Sequence, residues 1–72
     1  MKKTFRMEDL DCPNCAAKME AAIKKLDGVN TATVNYIAQK MTLDAADDRF
    51  DEIVKLAVKE VKKVDPDCEV IL

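Results

Sequence analysis

Three features of this 72-residue sequence predict an α+β fold of four strands and two helices. Apolar residues alternate over residues 4–8, 29–36, 39–45 and 68–72, which is the period of a half-buried strand. They recur at helical spacing over residues 13–26 and again from Phe50 onward. The junctions carry punctuating residues, with Gly28 after the first helix and Asp65-Pro66-Asp67 after the second. No repeat, linker or low-complexity segment interrupts the pattern, so residues 1–72 are expected to make one domain.

The first strand, residues 4–8, turns Phe5 and Met7 to one face and Thr4, Arg6 and Glu8 to the other. Leu10 follows as an apolar plug under a loop. That loop, Asp11-Cys12-Pro13-Asn14-Cys15, runs into strong helix formers, Ala16 to Ala22. Pro13 fits the first helical turn, where its missing N–H costs nothing. Met19, Ala22, Ile23 and Leu26 make the inward stripe, and Met19 at this spacing reads as core, not as a soft ligand. Lys24 and Lys25 suit the negative C-terminal end of the helix, and Gly28 stands where a left-handed cap is expected.

The second strand places Ala32, Val34 and Tyr36 on one side, and the third turns Met41 and Leu43 inward. Residues 36–39 link them too briefly for anything but a hairpin. Asp47 or Asp48 is expected to cap the second helix, with Asp51 and Glu52 in its first turn. Phe50, Ile53, Val54, Ala57, Val61 and Val64 give its buried stripe, while Lys55, Lys59, Lys62 and Lys63 form a solvated face. The last strand, residues 68–72, turns Val70 and Leu72 inward. The order βαββαβ is the split βαβ, ferredoxin-like pattern. Right-handed crossovers then put both helices on one face of a four-stranded antiparallel sheet, in spatial order 4-1-3-2. The last strand runs antiparallel beside the first, so Cys68 is expected near the loop carrying Cys12 and Cys15.

Composition narrows the function. A chain this small buries only about 60% of its unfolded surface, which argues for a surface site over an enclosed catalytic pocket. The net charge is −2 with both signs interspersed, and without a basic patch nucleic acid is excluded. No apolar run is long enough for a transmembrane helix, so no membrane insertion is expected. Met1 to Arg6 lacks the apolar core of a signal peptide, and the domain is read as cytoplasmic. Three cysteines are a poor disulfide framework and suit free thiols in a reducing compartment. With no histidine, any metal site must use sulfur and oxygen, which favours soft or borderline ions.

Two thiols with two residues between them converge on one ion. The ligand is the thiolate, and a helix N-terminus lowers the thiol pKa. A lone Cys-x-x-Cys also occurs in thiol oxidoreductases and as inert core. The Pro-Asn insert exposes the pair and opposes the inert reading. Cys-Pro-x-Cys is similar to glutaredoxins. However, no aromatic flanks the pair, and Pro66 leads straight into the final strand.

On these residues the chain resembles the heavy-metal-associated domain family. The matching stretches are Phe5-Arg6-Met7-Glu8, Leu10-Asp11-Cys12-Pro13-Asn14-Cys15-Ala16, Leu26-Asp27-Gly28-Val29 and Ala32-Thr33-Val34-Asn35-Tyr36, nearly the whole chain. The family comprises small copper chaperones, mercury-binding proteins and N-terminal domains of metal-transporting P-type ATPases. Copper members usually carry Gly-Met-x-Cys-x-x-Cys, where this chain has Asp9, Leu10 and Asp11 before Cys12. The Asp-Cys-x-x-Cys form looks like the domains of zinc-, cadmium- and lead-exporting ATPases, and the resemblance implies that Asp11 joins Cys12 and Cys15 as a ligand. Its bland alternative is a carboxylate resting at a helix start. Copper chaperones often place a lysine about where Cys68 stands. Cys68 is either a third sulfur ligand or a small residue opening a strand. Glu60 reads as a solvated helix glutamate, and Asp9 and Asp67 as loop carboxylates that add negative field.

Two thiolates and a carboxylate leave less residual charge around a divalent ion than around copper(I), and the hard oxygen suits zinc, cadmium or lead. Zinc normally takes four ligands, so a three-ligand surface site leaves room for a partner's donor. The expected function is therefore to bind and transfer a soft divalent ion at Asp11, Cys12, Cys15 and Cys68. The expected partner is a membrane-embedded metal-transporting ATPase or its other domains, with this chain as the N-terminal domain or a soluble metallochaperone. A monomer is expected, or a dimer bridged by metal through an incomplete site. The competing readings are a copper(I) chaperone domain, a thiol oxidoreductase and an interaction module with incidental thiols.

Overall fold

A computed structural model describes residues 1–72. The elements are β1 (Lys2–Glu8), α1 (Pro13–Lys24), β2 (Val29–Asn35), β3 (Lys40–Ala45), α2 (Phe50–Val64) and β4 (Glu69–Ile71). The strands form one sheet in the order β2-β3-β1-β4, every neighbour pair antiparallel. This is the ferredoxin-like architecture, with the expected strand order. The inward residues of β1 (Phe5, Met7) and β3 (Met41, Leu43, Ala45) share one core with the buried stripes of both helices. Both helices therefore cover the same face of the sheet. Phe5 and Phe50 stack within it, ring centroids 6.5 Å apart.

Differences from expectation fall at element ends, where apolar spacing carries least information. β1 begins at Lys2, because Lys2 and Lys3 pair with Asp44 and Leu43 on β3. α1 ends at Lys24. The N–H groups of Lys25 and Leu26 bond the carbonyls of Ala22 and Ile23, which tightens the final turn. Gly28 follows at φ +92, and a Cβ there would stand 2.8 Å from Ile53 Cδ1.

Neither Asp47 nor Asp48 caps α2. Residues Asp47–Arg49 form a 3-10 turn, and the capping position falls on Arg49 without a side-chain bond. Asp47 instead accepts a hydrogen bond from the Met1 amine. Asp51 and Glu52 do occupy the first turn. Val64 is half-buried where full burial was expected. Tyr36 and Leu72 face outward, because Tyr36 lies in the hairpin turn beyond β2 and Leu72 beyond the last paired residue of β4. No helix is long and apolar enough to cross a membrane.

The sheet register builds one end of the molecule. Glu8 pairs with Glu69 and Met7 with Val70, so the turn before β4 meets the loop after β1. The β2–β3 hairpin arrives at the same end, with the Met7 N–H bonded to the Gln39 carbonyl at 2.8 Å.

Candidate metal centre

Cys12 is the N-cap of α1, extended at φ −122 and ψ 117, with Pro13 in the first turn. Its sulfur occupies the place a Ser or Asp oxygen takes at other helix starts. It accepts the Cys15 N–H at 3.4 Å, while its carbonyl accepts the Ala16 N–H at 3.0 Å. Both sulfurs thus sit at the positive end of the helix, where free N–H groups favour anions. Both cysteines are half-buried, and Asp11 is exposed beside them.

The two thiols are not equivalent. The Cys15 N–H, the Cys15 thiol and the Asn14 N–H point at the Cys12 sulfur and hold its pKa below the ordinary cysteine range, against partial desolvation and the Asp11 charge. Cys15 is pushed up, first because it donates its own proton to Cys12, then by burial and the charges of Cys12 and Asp65. Cys12, which accepts the Cys15 N–H, is therefore the more acidic thiol of the pair.

Cys68 is wholly buried. Burial raises its thiol pKa most, followed by the charge of Asp65; Lys62 opposes, and Asp9 and Cys15 add smaller repulsions. The antiparallel β1–β4 pairing has brought it into the electrostatic neighbourhood of Cys15.

A family match decides what this corner belongs to: residues 4–64 fit the heavy-metal-associated domain. The chain belongs to the heavy-metal-associated domain family. A heavy-metal-associated domain is a metal-binding module found in transport ATPases and chaperones. This one is 33% identical over 66 residues to a cadmium, zinc and cobalt-transporting ATPase of Bacillus subtilis (strain 168), across 92% of this chain and 9% of that protein. The chain spans about a tenth of the length of such relatives. Among solved structures, it superposes on the N-terminal domain of a potential copper-translocating P-type ATPase from Bacillus subtilis in the Cu(I)-loaded state. The TM-score is 0.77 at 25% identity, covering 99% of this chain and 84% of that one. It also shares its fold with the CopZ metallochaperone, with a TM-score of 0.74 at 20% identity over 99% and 100% of the two chains.

Within this heavy-metal-associated domain the structure brings Cys12 and Cys15 together directly. It assembles no ready-made group of three or more Cys, Asp or Glu donors: Asp11 projects from the rim, and Cys68 belongs to the core. Glu60 pairs with Lys63 at 3.5 Å and lines the groove between the helices with Lys18 and Lys25, so it serves the helix surface. Asp9 is exposed in a left-handed conformation at φ 61. The Asp67 N–H bonds the Asp65 carboxylate at 3.1 Å. Asp65 itself is the carboxylate that sequence reasoning missed. It closes the turn before β4, its carbonyl accepting the Cys68 N–H at 3.1 Å, and its charge acts on both Cys15 and Cys68. The antiparallel argument that places Cys68 at this end applies equally to the turn three residues earlier.

Proposed function

We propose that residues 1–72 act as a cytoplasmic carrier domain for a soft divalent cation, zinc, cadmium or lead. It receives the ion and passes it to a membrane-embedded metal-transporting P-type ATPase, as that protein's N-terminal domain or as a separate metallochaperone. The observation that carries this reading is a half-exposed pair of sulfurs on a helix N-terminus, one of them accepting a helix N–H, with the Asp11 carboxylate immediately before it. Cys12 and Cys15 are the principal ligands and Asp11 the oxygen donor. Cys68, expected from the sequence as a further ligand, is in this reading the inner thiol that stays in the core behind the pair.

Cargo chemistry follows from the donors. Binding requires both thiolates, so uptake releases thiol protons and affinity rises with pH. Asp11 compensates a divalent charge better than a monovalent one and suits a borderline ion. A tetrahedral ion held by two sulfurs and one oxygen keeps a position open. A partner's thiolate enters there before one of this domain's ligands leaves, which is transfer by ligand exchange. The domain works as a monomer, and a second copy entering the open position gives a metal-bridged dimer. The cadmium, zinc and cobalt transporter named among its relatives supports the divalent assignment.

A second reading, copper(I) carriage, is supported by the Cu(I)-loaded solved structure and by the sufficiency of two thiolates for copper(I). Titration of the reduced domain with each ion, followed by thiolate-to-metal absorption and native mass, tests the proposal. One bound zinc, cadmium or lead per chain is expected. Binding of copper(I) alone would overturn the divalent assignment.

A further inference from the structure

Gln39 ends the β2–β3 hairpin turn at φ 56. This left-handed conformation is ordinary for glycine or asparagine and uncommon for glutamine. From it the side chain reaches the loop that carries the sulfurs. Gln39 Oε1 accepts the Leu10 N–H at 3.0 Å, and Nε2 donates to the Leu10 carbonyl and to the Tyr36 carbonyl. The Gln39 backbone carbonyl separately accepts the Met7 N–H.

A primary amide presents a donor and an acceptor side by side. It therefore serves both backbone groups of one residue, as a neighbouring strand would. Leu10 needs such a partner. Its side chain is wholly buried, yet it lies outside every strand and helix, so no ladder satisfies its backbone. Leu10 directly precedes Asp11 and stands two residues before Cys12. No charged side chain can replace the clasp, because glutamate lacks the donor and lysine the acceptor.

We propose that Gln39 is a positioning residue for the metal loop. By fixing Leu10 it presets the Asp11 and Cys12 donors and slows release of the bound ion, since a preorganised site loses less freedom on binding. The inference rests on the metal-binding reading above and adds a residue from a distant hairpin to that site.

Three chains test it: wild type, Gln39→Ala and Gln39→Gly. Amide hydrogen exchange of the reduced, metal-free chain reads the clasp. Exchange at Leu10 should accelerate about tenfold or more in both variants. Exchange at Met7 should not, because its acceptor is the backbone of residue 39. Cadmium release to excess EDTA reads the consequence, with rates expected to rise several-fold in both variants. Gln39→Gly separates the clasp from backbone strain: without the left-handed strain its thermal midpoint should exceed that of Gln39→Ala, while release should be as fast in both. Unchanged exchange at Leu10 would refute the clasp. Faster exchange with unchanged release would refute the positioning role. Failure of the wild-type chain itself to take up cadmium would overturn the metal-binding reading, and this inference with it.

Discussion

Three cysteines of identical chemistry are given different tasks by position. Cys12 accepts a helix N–H that holds its pKa down, Cys15 is pushed up by Cys12 and by burial, and Cys68 is sealed in the core. Their reactivity should follow. Brief alkylation with iodoacetamide near neutral pH, mapped by peptide mass, should label Cys12 first, with its half-maximal rate below the ordinary cysteine value of about 8.5. Cys68 should label only when the chain unfolds. Equal labelling of all three would contradict the arrangement. At this scale, the paired sulfurs and the helix start were legible in the sequence, because spacing and Pro13 act locally. The partners of Asp47, Asp65 and Gln39 were not. Asp47 meets the chain's own amine, Asp65 acts across a turn, and Gln39 clasps a residue 29 positions earlier.

Among the elements, the two helices and four strands follow from apolar periodicity, and the errors gather at their ends. The start of α2 is instructive. Two aspartates in a row look like a cap, but the chain makes a 3-10 turn there and leaves Arg49 at the capping position, where it ties to Asp27 at 3.2 Å. Gly28 shows the reverse: a glycine expected from sequence to close a helix also lets the turn after α1 pack against Ile53 of α2. Gly28→Ala would combine a left-handed alanine with a methyl 2.8 Å from Ile53. It should cost about 2 kcal/mol, lowering the thermal midpoint by roughly 10 °C. Cadmium affinity of the folded variant should stay at the wild-type value. An unchanged melting point would show that Ile53 moves aside freely.

For the molecule as a whole, the sheet order builds the candidate site, because it gathers the β1–α1 loop, the β2–β3 hairpin and the α2–β4 turn at one end. Stability and metal loading should therefore respond together. Free cadmium at about 100 times its dissociation constant should add about 2.7 kcal/mol; calorimetry should show a rise of roughly 15 °C in the reduced chain. Alkaline pH should act in the opposite direction. The folded pKa of Cys68 lies above its unfolded value. Its contribution is complete below about pH 8.5 and is lost as pH rises through the folded value. The urea midpoint should fall above that pH, and Cys68→Ala should flatten the fall. Cys15 and the Met1 amine slope the same way and Cys12 the opposite way, so some slope remains. The topology that brings these groups together was legible in the order of elements. The burial of Cys68 was not, since a strand-opening cysteine reads equally well as core or ligand.

The divalent assignment turns on one carboxylate, and competition between cadmium and copper(I) for wild type and Asp11→Ala tests it directly. Thiolate absorption should show cadmium affinity falling roughly tenfold or more in the variant, about 1.4 kcal/mol, with copper(I) affinity unchanged. Equal cadmium affinity in the two chains would contradict the role of Asp11 and return the site to a pair of sulfurs suited to copper(I).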